Sequence, residues 1–331
     1  MSPVVIVTIA IALIFDFLNG MNDAANSIAT VVSTKVLSPL LAVLWAAAFN
    51  FIAVFIFGVH VATTIGKGIV DHTVITQYVV LGALIGAVLW VFTCNRFGLP
   101  ISVSHALIGG LIGASIIKAG IGALIKSGVL KVVIFIVLAP TIGLTLGFLI
   151  MVIVMLIFRK TSPHRVNVIS RYMQLLSSAV FSIGHGSNDA QKTIGIISIL
   201  LFSTGTLGPE FFVPTWVIFT CYSTIAFGTL FGGWRVIKTL GLRLTTLRPV
   251  QGFCAETAGA IAIIGSTLIG VPVSTTHTIT GSILGVGLTK GVNSVRWGIA
   301  KNIVLAWILT IPGTMILSGT AYFIISRIIN S

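Results

Sequence analysis

The chain alternates long apolar runs with short polar connections from one end to the other. Ten such runs can be delimited, at residues 3–19, 37–58, 74–95, 99–117, 128–158, 173–203, 213–234, 247–268, 271–289 and 298–328. The pattern predicts an all-α polytopic membrane protein with about 10–12 membrane elements, because a helix needs about 20 apolar residues to cross a bilayer. Some of these elements are expected to be discontinuous helices.

The composition agrees with a membrane protein. Hydrophobic residues make up 56% of the chain and charged residues only 8%, whereas soluble domains carry roughly 25% charged residues. The acids are only six, namely Asp16, Asp23, Asp71, Asp189, Glu210 and Glu256. A charge inside a bilayer is costly and is usually functional, so the acids that lie within apolar runs are candidate site residues.

The basic residues give the chain a formal net charge of +13. They are spread over short connections without interleaved aromatic residues, which argues against a nucleic-acid partner. If the N-terminus is outside and all ten runs cross, thirteen basic residues lie inside and five lie outside, the latter being Lys67, Lys118, Lys126, Lys131 and Arg327. This bias follows the positive-inside rule. It predicts a multi-pass protein of the inner (cytoplasmic) cell membrane with both termini outside.

Two short motifs each occur twice, in the same order. The string GMNDAANS at 20–27 returns as GSNDAQKT at 186–193, an offset of 166 residues. The string GLPISVSH at 98–105 returns as GVPVSTTH at 270–277, an offset of 172 residues. Chance explains two ordered recurrences poorly, so we predict an internal duplication.

The duplication divides the chain at its longest basic connection. We predict a first repeat at 1–158, a short cytoplasmic linker at 159–171 and a second repeat at 172–331. Five crossings in each half would insert the second copy upside down, as an inverted repeat. Transporters of this architecture bind substrate and ions near the midplane, at discontinuous helices in corresponding positions of both halves.

The four motifs also predict interruptions and an anion site. The strings NGMND and HGSND are expected to break their apolar runs, and the Gly-x-Pro strings are expected to end one helix before a Ser begins the next. Helix N-termini present free N–H groups and a positive dipole end, which bind anions such as phosphate. Hydroxyl donors for the anion are available on Ser102, Ser104, Ser274, Thr275 and Thr276.

Oxygen ligands for a cation accompany these donors. Oxygens that suit a small hard cation are offered by Asp23, Asp189, Asn22, Asn26 and Asn188. A cation beside the anion would cancel charge and couple the two movements, and a proton taken up by a buried carboxylate would do the same. Glu256 lies inside a later apolar run and is a further candidate for ion coupling.

Other polar residues of the motifs leave alternatives open. His105 and His277 are candidates for gating or support, or for structural hydrogen bonds, and Ser27 and Thr193 for support. Lys192 would attract the anion as a ligand, pair with an acid of its own motif, or extend to an interface. Ser and Thr in membrane helices often bond only the local backbone.

Two other classes of function fit less well. The pair Ser104–His105 suggests an intramembrane hydrolase, but a nucleophile needs an oriented base and the chain has no Gly-x-Ser-x-Gly elbow. A channel is disfavoured because the acids are scattered and no carbonyl-filter motif is present. A secondary transporter accounts best for the paired motifs.

The four motifs together resemble those of the PiT family of inorganic phosphate transporters. The resemblance is carried by NGMNDAANSIAT, GHGSNDAQKTIGI, GLPISVSHALIGG and GVPVSTTHTITGSILGVG, and it covers both halves. The NDAQKT form is similar to the bacterial and archaeal branch. The resemblance implies sodium- or proton-driven phosphate symport without a cofactor, and two re-entrant Ser/Thr-rich hairpins.

Residue roles follow from the motif match. The resemblance assigns the Asn and Asp residues of both motifs to ions and phosphate, the five hydroxyls to phosphate, and Glu256 to a transport-linked acid in the segment GF-x-x-E. It also suggests a homodimer in the lipid bilayer. Some family relatives carry sulfate, which leaves sulfate or another tetrahedral oxyanion open as the alternative substrate.

Overall fold

The computed structural model of the chain describes residues 1–329, without the side chains of residues 65–67, Lys67 among them. Over these residues the chain forms twelve α-helices, which are α1 (Pro3–Ser33), α2 (Pro39–Ile52), α3 (His60–Lys67), α4 (Gln77–Phe97), α5 (Val103–Ala119), α6 (Lys126–Ile157), α7 (Pro163–Ser203), α8 (Thr215–Phe231), α9 (Trp234–Lys238), α10 (Pro249–Leu268), α11 (Thr275–Leu288) and α12 (Trp297–Ile329). Short helical turns lie at Ala53–Phe55, Ile121–Ala123, Thr239–Arg243 and Val292–Ser294.

The helices agree with the predicted apolar runs. Within the described residues, α1, α4, α6 and α12 are long and apolar enough to cross a membrane, and α8 with the segment Trp234–Arg243, bent by 63°, would make a fifth span. The helices α2 and α5 are apolar but shorter. Every predicted run overlaps a helix, and α3 and α9 are short helices that no run predicted. The all-α polytopic class is confirmed.

The predicted breaks at NGMND and HGSND are wrong, because α1 and α7 pass through these strings without interruption. The glycines of the strings serve close packing instead. A Cβ on Gly20 would lie 2.1 Å from the Ile225 carbonyl oxygen, and one on Gly186 would lie 2.5 Å from that of Asn50. Of the polar side chains of the strings, Asp23, His185 and Asn188 contact residues of other helices, whereas Ser187 donates to the Gly184 carbonyl oxygen of its own helix.

Most of the segment predicted as the linker 159–171 is helical, because α7 begins at Pro163. Pro163 occupies the first turn of α7, and Ser162 is the extended N-cap residue before it. A proline fits there because its missing N–H would have no partner in the first turn of a helix. Only residues 158–162 connect α6 to α7. The division into two repeats stays a prediction.

The breaks at the Gly-x-Pro strings are confirmed. Gly98 follows α4 with φ +68°, and Gly270 follows α10 with φ +69°, a backbone region that glycine occupies without strain. The helices α5 and α11 then begin and pack back against α4 and α10, respectively. Each string therefore turns the chain into a helical hairpin, namely the first hairpin (77–119) and the second hairpin (249–288).

Contacts between the two predicted halves are reciprocal. The helix α6 packs against α10 and α11 of the second hairpin, and α12 packs against α4 and α5 of the first. Small residues allow this approach, since a Cβ on Gly285 of α11 would lie 2.0 Å from the Leu144 carbonyl oxygen of α6. At the centre, α1 contacts α7 and α11. This junction brings the repeated motifs together.

Candidate functional site

Two carboxylates lie at the centre of the junction. Asp23 on α1 and Asp189 on α7 are both buried, with 2% and 1% of their surface exposed. One carboxylate oxygen of Asp23, one of Asp189 and one ring nitrogen of His185 all lie within 4.8 Å of one another. Two carboxylates so close to each other repel, and this geometry favours a cation or a proton between them.

The first turn of α11 covers the two carboxylates with hydroxyls. The Thr276 hydroxyl lies 3.2 Å from Asp23 Oδ1, and the Thr275 hydroxyl lies 3.1 Å from Asp189 Oδ2 and 3.5 Å from Asp23 Oδ2. Since this turn is a helix N-terminus, its free N–H groups and dipole favour negative charge. The carboxylates and the hydroxyls therefore form one polar centre.

The asparagines of the motifs place oxygens around this centre. Asn22 donates to Asp23 Oδ1 over 2.8 Å, and Asn26 donates to the hydroxyls of Thr275 and Thr276 over 3.2 and 3.0 Å. Asn188 donates to Thr267, 2.9 Å away. The carboxamide oxygens of all three asparagines are buried and accept no hydrogen bond from the described residues. Such oxygens suit a hard cation.

Lys192 is buried beside the second carboxylate. Only 1% of its surface is exposed, so it does not extend to an interface. Its ammonium pairs with Asp189 and donates to Ser104 Oγ over 2.5 Å and to the Val273 carbonyl oxygen over 2.9 Å. Of the three predicted alternatives, the structure shows the pairing with an acid of its own motif.

His185 is a site residue that the sequence reasoning missed. Its Nε2 lies 3.1 Å from Asp189 Oδ2, and its Nδ1 lies 3.1 Å from the carboxamide oxygen of Asn50 on α2. Two signals were present in the sequence. His185 belongs to the repeated string HGSND, and it precedes Asp189 by four residues, which places both side chains on one face of a helix.

The two serines that begin the hairpin helices have a capping role. Ser102 and Ser274 each accept a hydrogen bond of 3.2 Å from a backbone N–H, of His105 and His277 respectively. This is the usual N-cap contact. Ser104 instead reaches Lys192, so the five predicted phosphate hydroxyls divide into two caps and three that face the charged centre.

The two hairpin histidines meet each other. The rings of His105 and His277 are 4.8 Å apart, and His277 stacks on Trp307 of α12 at 3.8 Å. The Trp307 indole donates to the Pro100 carbonyl oxygen over 3.0 Å. These contacts join both hairpins and α12 in one packed group, where a support or gating role remains a prediction.

Glu256 belongs to a separate buried cluster. Its carboxylate accepts hydrogen bonds from Thr30, Gln174 and Ser177, over 2.6, 2.9 and 2.5 Å. None of these three partners was predicted, because they come from distant segments with no repeated pattern. Thr30 lies one turn beyond Asn26 on α1, and α1 is therefore the link between this cluster and the central carboxylates.

The two remaining support candidates lie on either side of the centre. The Thr193 hydroxyl donates to Asp16 Oδ1 over 2.7 Å, which joins α7 to the first part of α1. The Ser27 hydroxyl is buried and has no hydrogen-bond partner among the described residues. Thr193 thus has a structural contact, and the role of Ser27 stays a prediction.

Comparisons with known proteins agree on one family. The model of the phosphate transporter family matches residues 19–318. A probable low-affinity inorganic phosphate transporter of Rhizobium meliloti (strain 1021) is 53% identical over 321 residues, 97% of this chain and 96% of the relative. One of Bacillus subtilis (strain 168) is 43% identical over 333 residues, 99% of this chain and 100% of the relative.

A solved structure has the same fold. The structure described as the sodium-dependent phosphate transporter matches 99% of this chain and 100% of its own, with a TM-score of 0.92 and 25% sequence identity. The similarity therefore extends over all described helices, including both hairpins.

Proposed function

This chain belongs to the phosphate transporter family, and from this premise we propose that it imports inorganic phosphate by symport with a cation, sodium or a proton. The observation that carries the proposal is the polar centre of Asp23, Asp189, Thr275 and Thr276, buried where both motifs and the second hairpin meet. The named relatives are transporters, so transport, not catalysis, is the function assigned.

Phosphate would bind at the first turn of α11. The hydroxyls of Thr275, Thr276 and Ser104 would donate to its oxygens, together with the free N–H groups of the helix N-terminus. A protonated phosphate oxygen can in turn donate to a carboxylate, which sulfate, with no proton near neutral pH, cannot do. The carboxylates of Asp23 and Asp189 at the centre therefore favour phosphate over sulfate.

The coupling cation would bind among the motif oxygens. The oxygens of Asp23 and Asp189, with those of Asn22, Asn26 and Asn188, form the proposed set, and the three carboxamide oxygens that accept no hydrogen bond support it. A positive charge between the two carboxylates lowers their mutual repulsion and the cost of bringing in an anion. Anion and cation thus stabilise each other in the site, which is the physical basis of coupling.

The Glu256 cluster is proposed as a second coupling element. A carboxylate that accepts three short hydrogen bonds inside the protein is held in place, and a proton or cation that reaches it would change its charge. Since Thr30 on α1 bonds Glu256, such a change reaches the helix that carries Asp23. We propose that His105 and His277, between the hairpins, support or gate the same movement.

Transport would proceed by alternating access between the two predicted halves. The reciprocal packing of α6 and α12 on the opposite hairpins supports a movement in which both hairpins act together. The distribution of basic residues favours an orientation with both termini outside the inner membrane and the linker 159–171 in the cytoplasm. The homodimer that the family resemblance suggests is part of the same proposal.

The test is uptake into liposomes that contain the purified protein. With radiolabelled phosphate outside, an inward gradient of sodium or of protons, each varied separately, should drive accumulation above the equilibrium level. Excess arsenate, which carries the same protons, should compete, and sulfate should not. If neither gradient drives uptake, or if sulfate alone competes, the assignment to cation-coupled phosphate transport is wrong.

A further inference from the structure

The two repeated motifs differ at one position that faces the charged centre. With the offset of 166 residues, Asn22 matches Asn188 and Asp23 matches Asp189, but Asn26 matches Lys192. A neutral carboxamide in the first copy is thus a buried ammonium in the second. Both side chains point to the hairpins, since Asn26 bonds Thr275 and Thr276 and Lys192 bonds Ser104.

The ammonium of Lys192 has the surroundings of a bound monovalent cation. It contacts three oxygens, from the carboxylate of Asp189, the hydroxyl of Ser104 and the carbonyl of Val273. A lysine ammonium has three N–H donors and no acceptor, so these three contacts use all of them. Lys192 therefore has no N–H left for a phosphate oxygen in this arrangement, and it acts on the anion through its charge.

The two central carboxylates consequently differ in charge balance. Asp189 forms an ion pair with the ammonium of Lys192, whereas Asp23 forms no ion pair with a lysine or arginine within the part of the chain that the structure describes. The hydrogen bonds that Asp23 accepts come from neutral side chains, namely Asn22, Thr275 and Thr276. A buried carboxylate without a positive partner costs free energy. Asp23 therefore requires a cation from outside the protein, and Asp189 does not.

We propose that Lys192 is a tethered cation, which means that its ammonium takes the place of a coupling ion at the second motif. Each phosphate then travels with one external cation fewer than a site with asparagine at both positions would require. The proposal rests on the proposed function and refines the predicted ion site, because it leaves Asp23, Asn22 and Asn26 as the motif ligands of the external cation. Asp189 and Asn188 then serve the phosphate and the lysine.

The proposal has a consequence for charge movement. A transported cation crosses the membrane once per cycle, whereas the ammonium of Lys192 stays with the protein and returns with it. Replacing a transported cation by a tethered one therefore removes one positive charge from the net charge that accompanies each phosphate, while the charge of the occupied site is unchanged.

The test variant is Lys192→Asn, which gives the second motif the residue of the first. In liposomes with fixed phosphate and cation gradients, the membrane potential that stops net phosphate flux gives the charge carried per phosphate. We expect the variant to carry one elementary positive charge more per phosphate than the wild type. Lys192→Arg, which keeps the tethered charge, is the control and should keep the wild-type value.

A binding measurement decides the matter if Lys192→Asn binds ligands but does not turn over. With phosphate present, the melting temperature of each purified protein is measured at increasing concentrations of sodium or of protons. Ions that bind the folded state stabilise it, and the melting temperature rises more steeply with ion concentration when more ions bind. The variant should show a steeper dependence than the wild type. If it does not fold, Asn26→Lys provides the reciprocal test, with a shallower dependence expected.

The outcomes separate this proposal from the proposed function. A wild-type protein that carries no phosphate under any gradient contradicts the proposed function. A wild type that carries phosphate, with a charge per phosphate equal to that of Lys192→Asn, overturns the tethered cation alone. If the melting temperature depends on cation concentration equally in the wild type and in the variants, the tethered cation alone is likewise overturned.

Discussion

One carboxylate oxygen of Asp23 lies within 4.8 Å of one of Asp189, although the two residues are 166 positions apart in the chain. Both are buried, and both are reached by the hydroxyl of Thr275. The interior of this membrane protein therefore holds two carboxylates at its centre, and the first expected effects of substitution follow from their proximity.

Neutralising either central carboxylate should abolish coupled uptake. Asp23→Asn and Asp189→Asn keep the size of the side chain but remove a negative charge, from the proposed cation site at Asp23 and from the partner of Lys192 at Asp189. Gradient-driven phosphate accumulation should therefore fall to the background of empty liposomes. Initial rates of radiolabelled phosphate uptake measure this. Asp71→Asn is the matched control, because Asp71 lies on an exposed connection, where its carboxylate accepts hydrogen bonds from the neighbouring Thr73.

Both carboxylate variants should still be present in the membrane as folded protein, which size-exclusion profiles in detergent would show. Normal gradient-driven uptake by both variants would remove the central carboxylates from the mechanism.

The hydroxyl of Thr276 should matter more than its methyl group. Thr276→Val removes the hydroxyl that donates to Asp23 and accepts from the Asn26 carboxamide, and hydrogen bonds to charged groups contribute about 1.5–3 kcal/mol. We expect uptake efficiency, kcat/KM for phosphate, to fall by about tenfold or more, since 1.4 kcal/mol is about a factor of ten. Thr276→Ser keeps the hydroxyl and should stay within a few-fold of the wild type. Equal losses in both variants would point to packing instead.

Glu256→Gln should weaken transport without abolishing phosphate binding at the central site. The amide of glutamine would face donors from Thr30, Gln174 and Ser177, where the carboxylate accepts three hydrogen bonds. The uptake rate should fall by about tenfold on the same hydrogen-bond scale, with an altered dependence on the driving cation. Phosphate binding in detergent, measured by calorimetry, should change less. Glu210→Gln, on a connection, is the control, and an unchanged cation dependence of Glu256→Gln would exclude a coupling role.

Close packing of the second hairpin against α6 can be tested with one methyl group. In Gly285→Ala the new Cβ would lie 2.0 Å from the Leu144 carbonyl oxygen, whereas Gly265→Ala on α10 meets no atom within 4 Å. Overpacking costs about 1–3 kcal/mol, so Gly285→Ala should lower the melting temperature in detergent, and Gly265→Ala should leave it nearly unchanged. Identical melting temperatures would show that α6 and α11 separate without cost.

The sequence by itself determined the helical class, the repeated motifs and the two hairpins. Apolar runs decide helices locally, because a backbone in an apolar medium must satisfy its own hydrogen bonds. Gly98 and Gly270 determine the hairpin turns locally as well, through a positive φ that suits glycine. The pairing of Asp23 with Asp189 was expected from the duplication, which is itself a property of the sequence.

Only the tertiary structure decided how the motifs are used. Gly20 and Gly186 lie against the backbone of other helices, and no local pattern reveals this close packing of α1 and α7. Two partners of Lys192, Ser104 and Val273, likewise come from segments far away in the chain. The same holds for the three partners of Glu256. The sequence shows which charged groups must be buried. The partner of a buried charge depends on which helices pack together, and in this protein that packing is long-range.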